Sequence, residues 1–74
     1  MPKKQASEPV YRVTEVIGTS ATSWEDAASN AVATAAKSLR DLRIAEISKL
    51  DMKVENGKVV AYRARILLSF KYDA

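Results

Sequence analysis

The residues with the clearest chemical potential are two arginines in the stretch "AYRARILLSF", residues 61–70. Tyr62, Ala64, Ile66, Leu68 and Phe70 share one parity, and Arg63 and Arg65 share the other. This two-residue alternation predicts a strand with one apolar face and two guanidinium groups on its second face. Planar guanidinium groups pair with carboxylates or hold anions. The second face therefore meets water, another copy of the chain, or a ligand that favours positive charge. Intersubunit ion pairing, with Glu15 or Glu46 as partners, is the plainer expectation, because arginine is common at interfaces. Catalytic chemistry has little to work with. The chain holds no histidine and no cysteine. The commonest general base, the Ser-His pairs and the ordinary zinc sites are thereby removed. Paired carboxylates could act as acid and base, but no spacing singles out a pair. "GTSATS", residues 18–23, could cradle a phosphate ahead of a helix. It lacks the G-x-x-x-x-G-K-[ST] pattern, so turn formation and capping are the expected roles.

A chain of 74 residues is one domain at most. Domains this small bury only about 60% of the surface they expose when unfolded. They commonly need disulfides, a metal or oligomerisation in support. Disulfides and thiolate metal sites are excluded, so self-assembly is the expected support. No apolar run approaches the ~18 residues of a membrane span. The opening "MPKKQASEP" is polar and unlike a signal peptide, so a cytoplasmic location is expected, with residues 1–9 a flexible tail and residues 10–74 a single domain. Net charge is +3. Basic and acidic residues are interspersed, so neither nucleic acid nor membrane is an expected partner.

The elements that position these residues can be placed along the chain. "VYRVTEVI" predicts a first strand over residues 10–17, with Tyr11, Val13 and Ile17 on one parity and Gly18 opening a turn. Thr22 with Glu25, or Ser23 with Asp26, forms a capping box. The helix it starts is expected over residues 24–42. Trp24, Ala28, Ala31, Ala35, Leu39 and Leu42 trace one stripe along it, narrow enough in its alanines to lie close to a sheet. A second strand is expected over residues 43–55. Its apolar parity changes between Ile47 and Leu50, which predicts a bulge near Ser48–Lys49. Asn56-Gly57 is a strong hairpin turn signal, and a third strand follows over residues 58–72. That strand would exceed roughly 40 Å at ~3.3 Å per residue. The helix would reach only about 28 Å. The overhang needs a cover, which again points to assembly. The predicted fold class is α+β, a β-α-β-β chain whose three-stranded antiparallel sheet curls around one helix.

"IGTS" after the first strand, the capped alanine-rich helix and the long hairpin together resemble the dodecins over residues 10–72. The resemblance implies a non-enzymatic hollow homododecamer. Most dodecins bind flavins in pairs near their threefold axes and are thought to store or quench them. Flavin-binding members carry a tryptophan at the start of the second strand, which stacks on the isoalloxazine ring. The aligned residue here is Ile44. They also carry a glutamine in the third strand that reads the polar edge of the flavin. Here that position is Arg63, with Arg65 as its neighbour. Losing the aromatic platform forfeits about 0.5–1.5 kcal/mol of stacking. Ile44 is expected to fill by packing the space that a flavin would occupy.

Three further features resemble the branch of the family without that tryptophan, the calcium dodecins: Thr22-Ser23-Trp24-Glu25, Asp51-Met52 and Tyr62-Arg63. Calcium sites want several oxygens. Glu15, Glu46, Asp51 and Glu55 are the carboxylates on or near strands, with no EF-hand loop and no ligand set assigned. The expected function is binding or storage of a small ligand or ion by a dodecamer. Binding of FMN, riboflavin or FAD is expected to be weak or absent, and calcium is a possible cofactor. The alternatives are a flavin-storing dodecin with an altered pocket and a structural assembly without ligand.

Overall fold

The computed structural model describes residues 8–72. Residues 1–7 of the expected flexible tail lie outside the described residues. Four elements follow in order: β1 (Tyr11–Ser20), α1 (Trp24–Ala36), β2 (Leu42–Glu55) and β3 (Lys58–Lys71). The strands form one antiparallel sheet in the order β1-β3-β2. The predicted β-α-β-β fold is the observed one.

β1 runs to Ser20, so Gly18 lies inside the strand rather than opening a turn. The reason is the approach of α1. A Cβ at Gly18 would run into the carbonyl oxygen of Ala27 and stand 2.8 Å from the Ala31 Cβ. Only a residue without a side chain lets the helix backbone come this close. The remainder of the "GTS" signature fastens the same junction. Asn30 donates from Nδ2 to the Thr19 carbonyl at 3.0 Å. Ser20 Oγ accepts from the Thr22 amide at 2.9 Å and donates to Asp26 Oδ2 at 2.7 Å. Ser23 is the N-cap, its hydroxyl accepting from the Asp26 amide at 3.0 Å. The second of the two possible capping residues is thus the one used.

α1 ends at Ala36, six residues before the predicted end. The amides of Ser38 and Leu39 both bond the Ala35 carbonyl. Asp41 then takes φ 58°, a left-handed conformation that aspartate tolerates. This tight turn is what reverses the chain into β2. Leu39 and Leu42 still pack against the core from the turn and the strand, so the stripe keeps its far end without a helix beneath it.

The core is small: Ala27 and Ala31 from α1, and Ala64, Ile66 and Leu68 from β3. These last three are the predicted apolar parity of β3. On β1, Val16 joins the core, while Tyr11, Val13 and Ile17 lie exposed. The predicted apolar parity of β1 therefore faces away from the helix. The bulge in β2 falls where the parity changed, between Ile47 and Lys49. Ser48 is the extra residue, and its hydroxyl donates to the Arg65 carbonyl at 3.2 Å. Asn56 and Gly57 both take positive φ, 52° and 74°, as a two-residue hairpin turn requires. Each hairpin strand has 14 residues and the helix has 13. That is about 46 Å of strand against about 20 Å of helix. The overhang is longer than the sequence predicted and leaves Leu50, Met52, Val54, Val59 and Val60 exposed.

Candidate functional site

The site grows from one cross-strand pair. The register sets Arg63 of β3 opposite Asp51 of β2. Their side chains meet as a two-pronged fork, with Arg63 Nε donating to Asp51 Oδ1 at 2.7 Å and Nη2 to Oδ2 at 2.8 Å. Trp24, the first residue of α1, donates its indole N–H to the Asp51 carbonyl at 3.0 Å. Its ring meets Tyr62 edge-on at 5.1 Å between centroids and 71° between planes. The motifs "TSWE", "DM" and "YR" therefore converge on one place. They tie the start of the helix to the middle of the long hairpin.

This geometry decides the electrostatics. The hydrogen bonds from Arg63 hold the Asp51 carboxyl below its ordinary value, with the charges of Arg63 and Arg65 adding to the effect. Asp51 reciprocally raises the Arg63 guanidinium. Both side chains are partly exposed, at 40% for Arg63 and 52% for Asp51. The pair is thus a solvent-screened clamp rather than a buried ion pair. Arg65 reaches Glu15 of β1 at 3.5 Å. Both arginines lie on the face away from the helix, as their parity predicts. Both find carboxylates within their own chain, and for Arg63 the partner is Asp51 rather than Glu15 or Glu46.

Ile44 is 56% exposed and pairs with Ser69. It stands six residues from Arg63 along the sheet, about 20 Å at ~3.3 Å per residue. One chain does not bring Ile44 to Arg63, so a pocket containing both needs residues from more than one copy. The four candidate oxygen donors are also spread out. Asp51 and Glu15 are engaged by arginines, and Glu55 pairs with Lys53 at 3.4 Å. Among the described residues, no three or more Asp and Glu side chains gather into a metal cluster. The described carboxylates of a single chain therefore do not by themselves assemble a calcium site. Hydroxyls and acids of the chain itself engage the helix N-terminus, where a phosphate was considered for residues 18–23. Ser20 occupies local amides, and Glu25 and Asp26 place acids in the first turn.

Fold and site define a small α+β protein whose helix start is clamped to an overhanging hairpin. Among the described residues, no helix is long and apolar enough to cross a membrane. The chain belongs to the dodecin family, which it matches over residues 10–73. It is 45% identical over 62 residues to the calcium dodecin of Mycobacterium tuberculosis, spanning 84% of this chain and 87% of that protein. The crystal structure of calcium dodecin from that organism is described as a calcium-chelating antigen with a novel calcium-binding site. It superposes with a TM-score of 0.77 at 46% identity, over 86% of this chain and 91% of the other. Dodecin from Streptomyces coelicolor superposes with a TM-score of 0.85 at 35% identity, over 92% and 97%.

Proposed function

We propose that this chain is a non-enzymatic dodecin that works as a homododecamer, holds an ion or small ligand, and binds flavin weakly or not at all. The observation that carries the reading is the Arg63–Asp51 fork. By resemblance, Arg63 occupies the position of the flavin-reading glutamine. The fork commits two of its five N–H donors to a carboxylate of its own chain, and Ile44 offers no aromatic platform. Arg65, the third pocket position by resemblance, is held by Glu15. Calcium enters by similarity to the mycobacterial relative. Because the described residues of one chain gather no carboxylate cluster, a calcium site here would draw oxygens from several copies, and Glu46 is the strand carboxylate that no described ion pair engages.

A flavin fluorescence titration of purified protein tests the flavin part. The expected outcome is no submicromolar quenching. Ile44→Trp combined with Arg63→Gln should restore affinity by at least about tenfold, equivalent to 1.4 kcal/mol. Submicromolar quenching by the unaltered chain, near one flavin per chain, would overturn the reading. Calcium calorimetry separates an ion site from a ligand-free scaffold. Heat with defined stoichiometry supports the site. Silence favours the scaffold, a reading that the arginine-engaged Asp51 and Glu15 support.

A further inference from the structure

The tip of the β2–β3 hairpin sets a carboxamide beside a backbone nitrogen that the sheet does not use. The ladder closes with Glu55 opposite Lys58, so Asn56 and Gly57 make up the whole turn. In such a turn the closing pair makes the hydrogen bonds, and the Gly57 amide lies outside the ladder. Asn56 and Gly57 are both exposed. A Cβ built on Gly57 would meet nothing within 4 Å. No side chain of its own and no neighbour therefore shields the Gly57 nitrogen from Asn56 Cγ. The next pair inward, Val54 and Val59, is 58% and 46% exposed. Little packing holds the tip, and local opening costs least where few apolar contacts are buried. Such opening frees the rotations within Asn56 that bring Cγ to the Gly57 nitrogen. Asn30 is the other asparagine of the chain and shows the opposite case. It lies inside α1, and its amide donates to the Thr19 carbonyl at 3.0 Å. The residue after it, Ala31, is buried, and its nitrogen belongs to the helix ladder.

We propose that Asn56 is a self-modification site, which the chain converts to aspartate and isoaspartate with water as the co-reactant. The Gly57 nitrogen gives up its proton and attacks Asn56 Cγ. A C–N bond forms there, the bond from Cγ to the side-chain nitrogen breaks, and ammonia leaves with that proton. Water then opens the resulting succinimide. Cleavage of the new bond at Cγ leaves aspartate, and cleavage of the original peptide bond leaves isoaspartate. The products differ in consequence. Asp-Gly also suits this turn, so aspartate keeps the hairpin and adds a negative charge beside Glu55. Isoaspartate carries the main chain through Cβ and lengthens the turn, which disrupts the Glu55–Lys58 and Val54–Val59 pairings. Next to these pairs lies the register shift between Lys53 and Val54, on which the alignment of Arg63 with Asp51 depends. The site does not depend on the fate of the flavin pocket.

The test is mass spectrometry of proteolytic fragments after the purified full chain has stood in warm, mildly alkaline buffer. The fragment that carries Asn56 is expected to gain the mass of an amide-to-acid conversion, in two chromatographic forms. The gain should come faster as pH rises, because base takes the Gly57 proton. The fragment that carries Asn30 should stay unchanged over the same time. Asn56→Gln, whose longer side chain closes no succinimide, should lose the gain, and native mass spectrometry checks that this variant keeps the wild-type particle. An intact Asn56 in the folded chain, while a free peptide of residues 53–60 converts, overturns the proposal, because the turn then blocks ring closure. Equal conversion at Asn30 and Asn56 also overturns it, since global unfolding would explain both. A gain that persists in Asn56→Gln, or one that yields aspartate without isoaspartate, rules out attack by the Gly57 nitrogen.

Discussion

Gly18 shows how one missing side chain sets the position of a helix. Its Cα faces the Ala27 carbonyl and the Ala31 methyl, and no rotamer change could make room, because the obstacle is backbone. Gly18→Ala must push α1 away from β1. Overpacking of this kind costs about 1–3 kcal/mol, so thermal melting should show a clear drop for this variant. An unchanged midpoint would mean that the helix does not sit this close to β1. The Asp51–Arg63 fork makes a second residue-scale prediction, in pH. Asp51 has its folded value lowered by Arg63 below the ordinary 3.8. A lowered carboxyl contributes stability that is present above the unfolded value and lost as pH falls through the folded one. Wild-type protein should therefore lose melting temperature on acidification below that ordinary value. Asp51→Asn should start lower at neutral pH and fall less steeply through the same window. Equal slopes for the two proteins would show that the fork contributes nothing to the acid response. The pair's exposure keeps the expected difference small.

At the scale of elements, periodicity and turn chemistry made much of the fold legible. The β3 parity, the parity change that marked the Ser48 bulge, and Asn56-Gly57 all report local backbone geometry, which neighbouring residues determine. The helix end was not legible, because Leu39 and Leu42 continue the stripe while the backbone has already turned at Asp41. Packing, not helical continuation, puts them against the core. The Arg63 partner was hidden for a different reason. Counting outward from Asn56-Gly57 sets Arg63 opposite Leu50. A second register shift, between Lys53 and Val54, moves it opposite Asp51. Without that shift, the aspartate and the arginine would fall on opposite faces of the hairpin. The convergence of Trp24, Asp51, Tyr62 and Arg63 is thus produced by a bulge that no turn residue announces. Resemblance pointed to the three motifs, but only the fold shows that they touch.

At the scale of the whole molecule, the decisive feature is the mismatch between core and sheet. The chain extends 63 Å along its longest axis but only 20 and 15 Å across. Its fully buried large side chains are Ile66 and Leu68. Beside the start of the helix, on the edge strand β2, Leu50 and Met52 pair with Ala64 and Tyr62 on the helix side of the sheet, and both remain about half exposed, at 49% and 47%. Contiguous apolar surface of this kind marks an interaction site. In a homododecamer another copy would cover it, each buried leucine or methionine side chain contributing about 1.5–3 kcal/mol. Leu50→Glu with Met52→Glu reverses that contribution and sets carboxylates where neighbouring chains would meet. The substitutions lie outside the chain's own core, so each chain can retain its secondary structure by circular dichroism. Native mass spectrometry should find the particle replaced by single chains or small oligomers. Pairing these substitutions with Lys53→Glu, a charge change on the opposite face, controls for charge alone, and that single variant should keep the wild-type mass. A double variant that assembles as well as wild type would mean that the overhang is not the surface that holds the copies together.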